Sequence, residues 1–493
     1  MTNRLKAEDI HFVDMNREVL TVNELLEEGS RGVGQSMRRV ADAEKDYPCD
    51  QTYGYRLCGM AIQMVMHMHC ALQYSAEHRS NGTVRPEKEQ HDTPSGDQSS
   101  IANSRNSIPV LRFRCFLCPR LAEGYNPAPT NQSDGLAATA LANLKAYVAS
   151  SSNQTCTVEN AAKRREWGDL SVSERVNYTS AVNCLMSLPS RYNNTEYPGA
   201  KSRFDDFNVP HIAQTLTVHF TANFLSFHRY FVWTFERALR DECGYTGYQP
   251  YWNWGKWAYD PINSPLFDGG VGSLSGNGEF EPHNFTNGLK DGDVADYIPP
   301  GSGGGCVTTG PFANYTVNLG PISPTLEEPE VVAVNSTYDY NPRCMKRDIS
   351  SWVSSRWTTE QNVTDLLTQW DNIIDFQDNM QATNMTGNFG VHGGGHFTFQ
   401  GDPAGDIYSA PGDPAFWLHH GQIDRVWWIW QNQDPESRTS AFGGTITSKN
   451  EPPSRNGTLN DTIDVGVNGD IMEIALAMSS VGMTGGPFCY VYV

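Results

Sequence analysis

A mainly α fold, with long irregular loops and a few short strands, is predicted by three features of the chain. Apolar residues recur at helical spacing in several stretches. Helix start and stop residues bracket those stretches. One long segment rich in Gly, Pro, Asn and Ser interrupts them.

Taken in order, residues 1–110 read as a poorly defined N-terminal extension. Its first twenty residues are polar and contain no apolar leader run, and 80–107 have the composition of a disordered linker. Residues 111–155 read as a helical segment leading into the core, with "GLAATALANLKAYVAS" (135–150) at helical spacing. The stretch 160–189 reads as helix, turn, helix: Ser171 with Glu174 makes a capping box, and Val182, Leu185 and Met186 supply an apolar face. Segment 211–240 reads as helical, ending near Gly244. Residues 261–345 read as a long ordered loop excursion with β-like runs such as "VTTGPF" and "EVVAV". A helix over 359–382 rests on Val363, Leu366, Leu367, Trp370, Ile373 and Ile374. Another over 413–431 opens with Asp413 as N-cap and Pro414 at the first helical position.

The 493 residues are 39% hydrophobic, so a sizeable core can be buried, and the charge of −20 argues against non-specific nucleic-acid binding. No apolar run reaches the roughly eighteen residues of a membrane span. The twelve Asn-x-Ser/Thr sites and 11 cysteines fit a glycosylated, disulfide-bonded, secreted protein, although no clear signal peptide is visible.

Eight of the 13 histidines fall between residues 211 and 420. His392 and His396, in "VHGGGHF", share a face only if three glycines lie within a helix, each costing about 0.8–1.0 kcal/mol relative to Ala. His219 and His228 would point to opposite sides of one straight helix, so they cooperate only across a break. A zinc protease of the usual kind is excluded because "HGGGH" lacks the glutamate base. "HGGG" resembles the oxyanion loop of esterases, but no G-x-S-x-G occurs. A histidine-only metal centre fits best. Imidazole sets without thiolate or carboxylate favour a metal cycling through Cu(I), with open positions for O2.

"HFTANFLSFHRYFVWTFE" (219–236) and "DPAFWLHHGQID" (413–424) resemble the copper-A and copper-B signatures of the tyrosinase/catechol oxidase family of type-3 copper proteins, particularly its short fungal members. The resemblance covers about 156–489, including "RREW", "YQPYWNW", "NPRC" and "PFCYVY". It implies a four-helix bundle core within a copper domain over 156–493 and two copper ions. His211, His219 and His228 would bind Cu A, and His392, His396 and His420 would bind Cu B. The signature selects His420, four residues before Asp424; His419, which points about 100° away on a helix, is the weaker candidate. Phe224 and Trp417 are expected to pack the site. The implied activity is oxidation of o-diphenols to o-quinones by O2, two diphenols per O2 reduced to water. The partners are therefore a small phenol and O2, with no nucleic acid, no membrane and no indication of oligomeric state.

Family members that hydroxylate monophenols well commonly carry a polar residue after the first copper-B histidine, working with a nearby Glu. Here Gly393 stands there, and Gln381 and Asp378 are the nearest polar residues before it. Gly393, Gln381 and Phe397 are the candidate catalytic positions. Diphenol oxidation with weak monophenol hydroxylation at most is expected. A full tyrosinase, an o-aminophenol oxidase and, more remotely, a haemocyanin-like O2 carrier are the alternatives. Thr217 replaces the cysteine that forms a thioether in many fungal relatives, so no such crosslink is expected. The chain ends soon after His420, so any latency is expected from the N-terminal extension. Six cysteines in the family region allow about fifteen pairings, of which Cys306–Cys344, closing the long loop, is preferred.

Overall fold

The structure is a computed structural model that describes residues 127–151, 155–283, 297–326, 334–383 and 387–493, and the backbone of 11–13, 19–21, 286–291 and 294–296. Two units are distinguished, Met1–Phe113 and Arg114–Val493. In the first, His11–Val13 pairs antiparallel with Val19–Thr21. The remainder of the 1–110 extension, including the stretch 80–107, lies outside the described residues.

The second unit is built on helices, as the sequence predicts. Helix α1, Asn131–Ala149, is fastened to the helix that carries His420: the Asn143 side chain donates to the carbonyls of Asn432 (3.1 Å) and Gln433 (3.2 Å), and Asp134 pairs with Arg425 at 2.9 Å. Helix α2, Val172–Ser187, begins with the expected capping box of Ser171 and Glu174. The helix expected before it does not form. Ala162–Arg164 is instead a strand, parallel to Tyr490–Tyr492, and Trp167–Asp169 is one 3-10 turn. The backbone there is bonded to the far end of the chain, which the Cys156–Cys489 disulfide also ties down. A local reading of helical spacing has no access to that partner.

Helices α3, Asp205–Val218, and α4, Phe224–Cys243, replace one continuous helix. Gly244 closes α4 in the left-handed conformation (φ 66°) that glycine adopts without a Cβ clash. The break between them starts at His219, which is extended, followed by Phe220 at φ 55°. The segment 359–382 likewise splits into α6, Glu360–Gln369, and α7, Ile373–Gln381, preceded by the short α5, Ser351–Trp357. Trp370 interrupts it: its carbonyl accepts the Trp430 indole N–H at 2.7 Å, and Asn372 then caps α7. Helix α8, Gly390–Phe399, runs through all three glycines. Helix α9, Ala415–Gln433, starts one residue later than expected. The Asp413 carboxylate still accepts the Ala415 N–H at 2.8 Å while pairing with buried Arg347 at 2.6 Å.

The loop excursion contributes Gly278–Phe280 and Gly304–Val307 to a four-stranded sheet that Lys346–Arg347, just after it, and Gly401–Asp402 complete. Cys306–Cys344 is paired as preferred, and Cys184–Cys243 is the third disulfide among the described residues. The main core surrounds α9, where Trp417, Trp427, Trp428 and Trp430 are fully buried. No described helix is long and apolar enough to cross a membrane.

Candidate metal centre

Six of the histidines singled out by the sequence come together, and a seventh joins them. His211, His219 and His228 form one buried group. His392, His396, His419 and His420 form another. In each group one ring nitrogen per residue lies within 4.8 Å of the others. The groups adjoin: the rings of His228 and His420 stack at 4.3 Å and those of His219 and His392 at 5.7 Å.

The first group is oriented by backbone. His211 Nδ1 faces the Tyr408 carbonyl (2.8 Å), His219 Nδ1 that of Thr215 (2.9 Å) and His228 Nδ1 that of Phe224 (2.7 Å). A carbonyl only accepts, so the proton sits on Nδ1 and the Nε2 lone pair is left free. The break after α3 is what allows His219 and His228 to converge. In the second group α8 places His392 and His396 on one face, and His396 Nε2 lies 3.1 Å from His420 Nε2. The Nε2 atoms of His211, His228 and His392 are buried without a hydrogen-bond partner. Burial in every case, and neighbouring imidazoles in most, push these rings toward the neutral form. His219 falls to about 4, and His211, His228, His392, His396 and His420 drop well below their usual value. Neutral, buried, unpartnered imidazole nitrogens aimed into a shared space are what a bound metal ion requires.

Aromatic rings close the site. Phe224 meets His392 at 4.7 Å and His228 at 5.0 Å, as expected. Trp417 does not reach the histidines: it stacks on Phe235 at 3.7 Å within the core. The neighbouring Phe416 does, stacking on His420 at 4.1 Å and meeting His211 edge-on at 5.4 Å. Both rings stand in the quoted motif. Their 100° separation around α9 decides which one faces the site, and the motif alone does not show it.

The three candidate catalytic positions have different surroundings. Gly393 follows His392, and the nearest atom to a Cβ there would be Phe389 Cβ, at 3.2 Å. Phe397 packs with Phe389 (4.9 Å), Ile298 and Val353 in a separate apolar cluster. Gln381 is buried, and its Oε1 accepts the Phe220 N–H at 2.8 Å. It therefore holds the left-handed residue that follows His219. Asp378 accepts the Thr383 hydroxyl at 3.1 Å, and burial raises its carboxyl. Thr217 donates to Gln214 O at 3.0 Å.

The remaining glycines of the motif have distinct tasks. A Cβ on Gly394 would lie 2.7 Å from Trp357 Cβ, so that glycine lets α5 approach α8 closely. A Cβ on Gly395 would lie 2.1 Å from His419 Cε1. Gly395→Ala is therefore expected to destabilise the metal-free chain by at least the about 1–3 kcal/mol typical of overpacking. Thermal unfolding checks this, and an unchanged midpoint would show that the His419 ring moves aside freely.

A buried carboxylate joins the two halves of the site. Asp424, one turn after His420, accepts Arg229 Nε (2.6 Å), Arg164 Nη1 (3.2 Å) and the hydroxyls of Tyr490 (2.5 Å) and Tyr492 (2.6 Å). Burial alone would raise its carboxyl, but Arg229, Arg164 and the tyrosine hydroxyls hold it below the ordinary value.

A helical scaffold enclosing two adjoining histidine groups defines a protein able to hold a pair of metal ions with imidazole alone. The chain belongs to the tyrosinase family: residues 201–433 match the common central domain of tyrosinase. Tyrosinase P of Aspergillus terreus is 40% identical over 331 residues, 67% of this chain and 91% of that protein. N-acetyl-6-hydroxytryptophan oxidase of Emericella nidulans is 38% identical over 354 residues, 69% of this chain and 94% of that one. A solved polyphenol oxidase variant from Thermothelomyces thermophila superposes with a TM-score of 0.69 at 41% identity, covering 74% of this chain and 98% of its own. The chain is thus a tyrosinase-family oxidase, and membership implies a dinuclear copper site.

Proposed function

We propose that His211, His219 and His228 hold one copper ion and His392, His396 and His420 the other, and that the protein oxidises o-diphenols to o-quinones. The observation that carries this is the set of buried, neutral, unpartnered imidazole nitrogens in two adjoining groups. Copper held there supplies redox chemistry with O2, four electrons from two diphenols reducing one O2 to two waters.

The chain's own residues orient and restrict. Backbone carbonyls set the tautomers of the first triad, and Phe224 and Phe416, which each touch both groups, keep water from the walls of the site. Gly393 offers no side chain to hold a basic water, and Gln381 spends its amide oxygen on Phe220. Both facts favour diphenol oxidation over monophenol hydroxylation.

Copper loading followed by parallel assays on a monophenol, catechol and an o-aminophenol tests the reading. Catechol should be turned over fastest, and equal monophenol and catechol rates would refute it. Reversible O2 binding without turnover would indicate a carrier. Gly393→Asn should raise the monophenol-to-catechol rate ratio several-fold, once Phe389 shifts by a few tenths of an ångström. An unchanged ratio would remove residue 393 as its determinant. The three disulfides favour an oxidising compartment, in keeping with secretion.

A further inference from the structure

His419 is fully buried among the copper-B histidines, with its ring 4.5 Å from His396 and 5.0 Å from His420, yet the proposed ligand set does not use it. Four imidazoles thus stand where three are wanted. A fourth nitrogen on the metal would fill the position that a catalytic centre keeps open for its reactants.

Trp254 supplies the discrimination. Its indole N–H donates to His419 Nδ1 at 3.1 Å. An indole nitrogen donates and never accepts, so Nδ1 must present its lone pair to Trp254, and the ring proton resides on Nε2. Neither nitrogen then has a lone pair to offer a metal: Nε2 is buried without a partner like those of His211, His228 and His392, but here it carries the proton. The ring is also seated: it occupies the space a side chain at Gly395 would take, and Trp254 itself is fully buried in a short helical turn, Trp254–Trp257.

Resting on the copper assignment above, we propose that Trp254 is a positioning residue that occupies the His419 lone pair and so keeps that ring from binding copper B, leaving three imidazoles there and one coordination position open.

The test uses the full chain loaded with copper, read by copper content and by the rate of copper release to a competing chelator as well as by catechol oxidation. The wild-type chain should hold two copper ions. His419→Gln should also hold two, because the glutamine carbonyl can still accept the indole N–H and no ligand is lost. A fall to one would make His419 a ligand and overturn the proposal. Trp254→Phe keeps a ring but removes the donor. One of its two copper ions should leave about tenfold more slowly, while oxidation falls about 10–100-fold. Adding His419→Gln to Trp254→Phe should restore the release rate. Unchanged or faster release in Trp254→Phe, or no restoration in the double variant, would overturn the proposal and leave the copper assignment standing. A wild-type chain that takes up no copper would overturn both. If Trp254→Phe does not fold, the copper content of His419→Gln decides alone.

Discussion

His228→Ala is expected to hold one copper ion per chain instead of two and to lose catechol oxidation. The loss should exceed the about 10–100-fold that removing a residue supporting a metal ligand costs. His228, on α4 in the first group, meets the second, with its ring against His420 at 4.3 Å and Nε2 buried without a partner. Alanine removes that nitrogen and leaves a cavity beside Phe224, 5.0 Å from the ring it replaces. Metal analysis and O2 consumption give the two readouts. Full copper content with full turnover would remove His228 from the ligand set.

Asp424→Asn is expected to destabilise the chain by about 3–5 kcal/mol, the usual penalty for breaking a buried ion pair by removing one partner. The change keeps the side-chain shape but leaves the Arg229 and Arg164 guanidinium groups, both fully buried, without their shared carboxylate. The chain should unfold at lower urea with an unchanged slope. A loss under about 1 kcal/mol would show that Glu236, which pairs with Arg164 at 2.9 Å, compensates for the missing carboxylate. Because Arg229 follows His228 and Asp424 lies one turn after His420, weaker copper retention should accompany the loss. The pH dependence has a definite sign. The folded carboxyl is held below its ordinary value, so its contribution is fully present above the unfolded pKa of about 3.9 and disappears as pH falls through the lower folded value. The wild-type chain should therefore lose stability on acidification below about pH 4, and Asp424→Asn should lack that component.

Much of the site is legible in residue order. Histidine spacing pairs His392 with His396, and the nine-residue separation of His219 and His228 lets them cooperate only across a break, which occurs between α3 and α4. Ser171, Gly244 and Asp413 mark helix ends through bonds to their own neighbours. Failures occur where a distant partner takes over a segment's backbone or packing. Helical spacing over 359–382 does not reveal that Trp370 gives its carbonyl to Trp430. The residues before Trp167 look helical but pair with Tyr490–Tyr492. Gln381 has the polarity of a residue that holds water, but the Phe220 N–H claims it.

The stretch that reads worst as a helix shows the division most clearly. Side-chain chemistry and periodicity, both local, specify two imidazoles one turn apart and a helix that can form only at a cost. They also leave His420 and His419 distinguishable by angle alone. Tertiary packing decides the rest, because contacts between distant segments have no periodic signature in the chain. Gly394 is set by the approach of α5 and Gly395 by the ring of His419. The indole of Trp254, 165 residues away in sequence, occupies the lone pair of that ring.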